Sequence, residues 1–396
     1  MSVKGFVRNR GGKRLPNGGY QGGSWTAYWY ERSAEGSRRQ RSKGGFSSKR
    51  EAVAYLTTVL ESLQSGTYVS PDRTTLGQYL LDLWLPAQKQ RLRASTFDDY
   101  LRRVTTYIVP HIGGVRLQEL DAARLDRFYA HLLTQGGAGG RSLSPKTVRN
   151  VHVIVRKSLQ DAVRKRLITR NPALDADAPR VPGPGEREME TWTPEELRVF
   201  LKAVRDHFLA PAFVLAASTG MRRGEVLGLR WSDVDLEART VAVRQTVINV
   251  AYEVVYSEPK TARGRRTISL DDPTVAVLRE HRAKQRERRA AHEGSYEDHD
   301  LVFARDDGRP VHPDLFSQLF NRTVARLGLR RVRLHDLRHT YATLALRAGV
   351  DPKTVSARLG HATVAFTLDV YTKAVPQLDR EAATRVAELI FGETDG

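Results

Sequence analysis

Two arginines, a lysine, two histidines and a tyrosine recur in short motifs of the C-terminal half, and together they make a chemical set. In "STGMRRGEVLGLRW", Arg222 follows a Thr-Gly break where a helix can begin. Glu225 lies three residues on, on the same helical face and within reach of the guanidinium. In "YSEPKTARGRRTISL", Lys260 falls at an expected hairpin bend that can project it into a cleft. "LHDLRHTYATLAL" sets Leu334, Leu337, Tyr341, Leu344 and Ala345 on one apolar helical face, with His335, Arg338 and His339 on the turn beside it. "ARLGHATVAFTLDVYTK" supplies His361 after a helix-ending glycine, then Tyr371.

This set suits phosphoryl transfer at a diester. Two guanidiniums can fork onto both non-bridging oxygens and stabilise the charge of a pentacoordinate transition state, a task often given to metal ions. Imidazoles add donors and shuttle a proton. A tyrosine phenol, with a pKa near about 10, becomes a competent nucleophile beside such a cationic cluster. A lysine can protonate the leaving 5′ oxygen. Taken singly, each residue has an ordinary structural reading: Arg222 and Glu225 as a helix salt bridge, Lys260 as a surface turn, Tyr371 as a core aromatic. His335 and His339 have the spacing of paired metal ligands, but "HDLRH" lacks the glutamate of a zinc-protease helix and places an arginine between them. No metal and no cofactor are expected, and no phosphate-cradling G-x-x-x-x-G-K-[ST] motif points to ATP.

The elements that must position these residues fall into three expected domains. The chain has 396 residues, Lys+Arg 64 against Asp+Glu 45, a net charge of +19 and no cysteine. Nucleic acid is the natural partner of such a surface, and disulfides, thiol catalysis and thiolate metal sites are excluded. No apolar run approaches the roughly 18 residues of a membrane span. A soluble, cytosolic protein with no membrane association is expected. Residues 1–65 read as a small β-sheet plus helix. "GGSWTAYWYER" alternates as a strand, "RRQRSKGGF" is a basic second strand carrying Arg38, Arg39, Arg41 and Lys43, and Ser48 with Glu51 forms a capping box. Residues 72–175 read as all-helical, with starts at Ser95/Asp98 and at Ser144-Pro145. The helix after Pro145 repeats Lys146, Arg149, Arg156, Lys157, Arg164 and Lys165, a charged outer face that tips towards phosphate contact in so basic a chain. Residues 176–190 are a Pro/Gly/Ala-rich linker. Residues 191–396 open on the Thr193-Pro194-Glu196 start and read as mainly helical with one small antiparallel sheet. The fold class expected is thus multidomain α+β.

The order Arg within "TGMRRGE", Lys within "EPKT", "HDLRH", "LGH" and then "YT" resembles the tyrosine recombinase family, specifically the three-domain phage and conjugative-element integrases. The resemblance implies an arm-binding module at 1–65, a core-binding domain at 72–175 and a catalytic domain at 191–396 with a C-terminal tail helix. In its terms Arg222, Lys260, His335, Arg338 and His361 form the catalytic pocket, Tyr371 is the nucleophile and Glu225 is a supporting acid. It further implies double-stranded DNA with core and arm sites as substrate and a homo-tetramer in the synaptic complex. Strand exchange through a Holliday junction would need neither metal nor ATP, and a host DNA-bending protein and a directionality factor are possible partners. The tail repeats Leu378, Ala382, Val386, Leu389 and Ile390 on one face and would dock on a neighbouring protomer. A chromosome-dimer resolvase of the same family is a rival reading, opposed by the basic module before residue 65. A non-catalytic DNA-binding regulator is another, opposed by the intact set from Arg222 to Tyr371.

Overall fold

The computed structural model describes residues 4–16, 18–32, 37–181, 190–259, 264–292, 294–360, 383–384, 386–388 and 390–392. Lys260, His361 and Tyr371 lie outside the described residues, as do Leu378, Ala382 and Leu389 of the expected tail helix, while Val386 and Ile390 are exposed. The chain divides into two compact units, residues 1–181 and 182–396, parting within the expected linker. No helix among the described residues is long and apolar enough to cross a membrane.

In the first unit, β1 (Gly5–Arg10), β4 (Ser24–Arg32) and β5 (Arg38–Phe46) form an antiparallel sheet in the order β1-β4-β5, with a small hairpin of β2 (Lys13–Arg14) and β3 (Tyr20–Gln21). Helix α1 (Lys49–Gln64) covers one face, packing Leu56 and Val59 on Ala27 and Trp29. Two strands were expected from the alternation, and β1 adds a third. The capping box closes one residue early. Ser48 accepts from the Glu51 amide as expected, but the Glu51 carboxylate takes the Ser47 amide (3.1 Å) and hydroxyl (2.8 Å).

The helical body follows around its own apolar core, which includes Trp84, Leu125, Phe128 and Val151. Helix α2 (Leu76–Gln78) runs through a π-helical turn (Tyr79–Trp84) into α3 (Leu85–Lys89), and α4 (Ala94–Arg103) through another (Val104–Ile108) into α5 (Val109–Ile112). Pro86 and Pro110 each lack an amide for the preceding turn, and the chain widens there: Leu85 N–H reaches Leu80 O and Val109 N–H reaches Val104 O. The start expected at Ser95/Asp98 is not used. Helix α4 begins at Ala94 with Arg93 at its N-cap and no side-chain cap, and Asp99 instead pairs with Arg102 and Arg103. Helices α6 (Ala122–Gln135) and α7 (Pro145–Arg164) complete the body, α7 capped by Ser144 as expected.

The second unit opens on α8 (Pro194–Val204), where Thr193 and Glu196 make the full reciprocal capping box. Next come α9 (Ala210–Thr219), α10 (Arg223–Leu227), β6 (Val234–Asp235), β7 (Thr240–Val243), β8 (Thr246–Val250), β9 (Glu253–Ser257) and β10 (Arg266–Ser269). Helices α11 (Asp272–Ala291), α12 (Pro313–Leu327), α13 (Asp336–Arg347) and α14 (Pro352–Leu359) follow. Among the described residues, the single small sheet expected is two: β10-β7-β6, and a separate hairpin β8-β9. Stacked and edge-on rings of Trp192, Phe200, Phe213, Phe316 and Phe320 centre the core, Phe213 and Phe316 at 4.2 Å between centroids.

Candidate active site

The site is built where α9, α13 and α14 converge. Helix α9 ends at Gly220, whose φ of 65° suits glycine; a β-carbon there would stand 2.5 Å from Leu359 and 2.8 Å from Tyr341. That close approach delivers the next residues to the end of α14. Arg222 has extended backbone and flanks the start of α10. Its amide donates to Glu225 Oε2 (2.9 Å) and its Nη1 to Glu225 Oε1 (2.7 Å), so one carboxylate both caps the helix and fixes the guanidinium. The pair read from "TGMRRGE" is formed.

Glu225 is buried at 4% exposure and has a second cationic partner. Arg266 Nη2 donates to Oε2 at 2.9 Å and Nη1 to Oε1 at 3.2 Å. Burial alone would raise the carboxyl pKa. The hydrogen bonds and charge of Arg266, followed by Arg222, reverse this and hold it below the usual value, so the group is ionised at neutral pH.

Three arginines then grip the last carbonyls of α14, which have no partner within their own helix. Arg266 Nε donates to Arg358 O, Arg338 Nη2 to Leu359 O (2.6 Å) and Arg222 Nη2 to Gly360 O (3.5 Å). Arg338, 3% exposed, also donates through Nη1 to Gly220 O at 2.9 Å, tying α13 to the α9 terminus. The negative end of the α14 dipole and the Glu225 carboxylate offset the repulsion among the three cations. Gly360, the last residue of this end, directly precedes His361 in sequence.

His335 stands at the N-terminus of α13, partly open to solvent, and its ring meets that of His339 edge-on at 5.3 Å. Both imidazoles titrate low. His339 is pushed down to about 4, by burial first and then by His335, with Asp336 opposing. Burial and then Arg338 lower His335, against Asp336, with Arg222 and Arg333 also contributing. Both are neutral at pH 7, so either ring can accept or relay a proton. Asp336 accepts from the Arg333 amide (2.7 Å) and its Nε (3.0 Å) and Nη2 (2.9 Å), and its charge acts on both imidazoles. No group of three or more His, Cys, Asp or Glu placed to hold a metal ion occurs among the described residues.

The structure thus brings Arg222, Glu225, His335 and Arg338 together. Sequence reasoning passed over Arg266, although a signal was present: Arg266 and Ile268 share the inward row of β10, and an arginine on a buried row must have an anion or carbonyls to meet.

The basic residues expected to contact DNA are divided by the fold. On α7, Lys146, Arg149 and Arg156 are exposed along one face, Lys157 is half-buried, and Lys165 is exposed at the C-cap. Arg164 is spent on Asp161, a buried carboxylate that also accepts from Trp84 Nε1 at 2.8 Å. In the N-terminal sheet, strand alternation sends Arg38 to the open face and Arg39, Arg41 and Lys43 to the α1 side. Arg41 pairs there with Glu31 (2.6 Å), and Lys43 Nζ lies 4.4 Å from the centre of the Tyr55 ring. Phe6, Arg8 and Arg10 of β1 occupy the open face with Tyr28, Tyr30 and Arg38; Phe6 stacks on Tyr28 at 4.8 Å and Arg38 lies 4.2 Å from the Tyr30 centroid.

Residues 191–377 match the model of the phage integrase family, residues 20–63 that of an arm DNA-binding domain, and residues 75–133 that of the phage integrase N-terminal SAM-like domain. A tyrosine recombinase XerC-like protein of Caldanaerobacter subterraneus subsp. tengcongensis is 28% identical over 363 residues, covering 87% of this chain and 90% of that protein. The ICEBs1 integrase of Bacillus subtilis is 29% identical over 277 residues, covering 69% and 72%. Among solved structures, the Tn1549 transposon integrase in complex with a circular intermediate DNA is similar in fold, with a TM-score of 0.61 over 79% of this chain and 100% of that one at 20% identity. A lambda integrase dimer bound to a core site gives 0.55 over 75% and 95% at 16% identity.

Proposed function

Because the chain belongs to the phage integrase family of tyrosine recombinases, enzymes that transfer DNA strands at specific sites, we propose that it integrates or excises a phage or other mobile element by the following chemistry. Tyr371 Oη attacks the scissile phosphorus and the bond from phosphorus to the 5′ oxygen breaks, leaving a 3′-phosphotyrosyl strand. The phenolic proton passes to the neutral imidazole of His335, and Lys260 delivers one to the departing 5′ oxygen. Arg222, Arg338 and His361 stabilise the charge gathering on the non-bridging oxygens. One diester replaces another of similar energy, and the reverse attack by a 5′ hydroxyl rejoins the strand. A homo-tetramer would complete two such exchanges through a Holliday junction, in the cytoplasm of a bacterial host, with a DNA-bending protein and a directionality factor as possible aids.

The observation that carries this reading is the pre-assembled cluster of Arg222, Glu225 and Arg338 on the end of α14, from which the chain continues to His361 and Tyr371. The partition into an arm-binding module (1–65), a core-binding domain (72–175), a linker (176–190) and a catalytic domain (191–396) is part of the proposal. The match of residues 20–63 to an arm DNA-binding domain favours an integrase over a two-domain resolvase. The test uses an attachment site identified from the DNA flanking the gene, synthesised with a nick that traps the cleaved product, and assayed with a metal chelator present. Wild type should give a covalent adduct and Tyr371→Phe should bind without one. An adduct of normal yield from Tyr371→Phe, or loss of wild-type cleavage to the chelator, would overturn the mechanism.

A further inference from the structure

Arg266 touches three parts of the site, yet its own side chain is only 7% exposed, against 41% for Arg222. It binds both oxygens of Glu225, Nε holds Arg358 O, and Nη1 also reaches Gly264 O at 3.2 Å. We infer that Arg266 is a positioning residue for strand cleavage, acting on the scissile phosphate through Glu225 and Arg222. The inference rests on the reading of Arg222 as a phosphate ligand and adds the device that aims it.

The argument is one of acceptor capacity. A carboxylate offers about four lone-pair directions. In Glu225, Oε1 takes Arg222 Nη1 and Arg266 Nη1, while Oε2 takes the Arg222 amide and Arg266 Nη2. Arg266 therefore fills the sites that a second Arg222 nitrogen would otherwise occupy. With those sites taken, the Arg222 guanidinium meets Glu225 through Nη1 only, and its Nη2, on the long 3.5 Å contact to Gly360 O, remains exchangeable for substrate. Without Arg266, a bidentate pair between Arg222 and Glu225 becomes available, the most favourable geometry for these two groups, and it would draw the guanidinium back from the phosphate. Arg266 also joins β10, just after the segment that carries Lys260, to the end of α14 just before His361. One inward side chain thus ties the carboxylate partner of Arg222 to the end of α14.

The test is a double-mutant cycle on the full-length protein, reading single-turnover cleavage of the nicked core site alongside binding to that site. Arg266→Ala should lower cleavage by about tenfold to a hundredfold, as expected for misplacement of a transition-state ligand, with site binding retained. Arg266→Lys, which keeps the charge but not the fork, should recover part of the rate. If Arg266→Ala does not fold, Arg266→Lys carries the same cycle. In an Arg222→Lys background either change at 266 should lose most of its effect, because the two residues act through one carboxylate. A wild-type rate in both Arg266 variants overturns the inference, as does a loss that multiplies in full in the Arg222→Lys background. A wild-type rate in Arg222→Lys alone overturns instead the assignment of Arg222, and this inference with it.

Discussion

The two arginines assigned to the phosphate should separate cleanly by stability. Arg338 is 3% exposed and donates to Gly220 O and Leu359 O, carbonyls at two helix ends that α9 and α14 cannot satisfy themselves. Arg338→Ala leaves both without these donors, and each buried unpaired carbonyl costs roughly 1–3 kcal/mol. Water entering the vacated volume offsets part of this, so about 3 kcal/mol is the expected loss, equivalent to roughly 6–12 °C in the melting of a unit this size. Arg222 is 41% exposed, its contact to Gly360 O is long at 3.5 Å, and Glu225 keeps Arg266 when it is gone. Arg222→Ala should therefore cost no more than about 1 kcal/mol. Both variants should lose cleavage by about a hundredfold to a thousandfold, the usual effect of removing one preorganised transition-state donor. Thermal and urea denaturation of the full-length variants at pH 7.5, beside adduct formation on nicked DNA, reads both quantities. Equal midpoints for the two variants, or an Arg338→Ala protein as stable as wild type, would refute the structural role given to Arg338.

His339, held near 4, binds a proton more readily in the unfolded chain, so its stabilising contribution is complete above about pH 6.5 and is lost as pH falls towards 4. Urea midpoints should fall by the equivalent of about 2 kcal/mol between pH 7.5 and pH 5, and a flatter profile in His339→Gln would confirm the source, whereas an unchanged slope would exclude it. For Lys260, a substrate with a sulfur in place of the 5′ bridging oxygen needs little leaving-group protonation. It should restore cleavage to Lys260→Ala and not to Tyr371→Phe, and failure of both would remove the general-acid role. In the N-terminal module, Arg8→Ala and Arg10→Ala should each weaken arm-site binding and reduce its salt slope by about one. Arg41→Ala should instead lower stability and leave that slope unchanged, because its guanidinium is engaged by Glu31, and the opposite ranking would place DNA on the α1 side of the sheet.

What was legible in the sequence was what is settled within a few residues. Thr193, Pro194 and Glu196 form their box, Ser144 caps the helix after it, and Arg222 meets Glu225 three positions away, because each interaction closes inside one turn of chain. The π-helical turns before Pro86 and Pro110 are not legible, since proline announces a lost hydrogen bond but not how the chain repairs it. Period-two alternation divides the basic strand from Arg38 to Lys43 between the two sheet faces, but which face α1 covers is not local information. For Arg266, alternation along β10 marks the side chain as inward but does not name its partner. Its partner carbonyl, Arg358 O, is 92 residues distant in sequence, and no local pattern encodes that meeting.

That distance explains why the site can exist before DNA arrives. Guanidiniums brought together without an anion repel, and in an isolated helix or hairpin nothing would hold them. Here the compensation is supplied by the fold itself: one ionised carboxylate shared by Arg222 and Arg266, and the carbonyl end of α14 shared by Arg222, Arg266 and Arg338. The ordering of these side chains is met by folding and not at the moment of binding, which is what preorganised electrostatic catalysis requires. In the mechanism proposed above, a phosphate would meet Arg222 and Arg338 already in place, and the α14 carbonyls, being weaker acceptors than a charged phosphoryl oxygen, are partners that these guanidiniums would exchange for it, while the buried Arg266 keeps the frame in place.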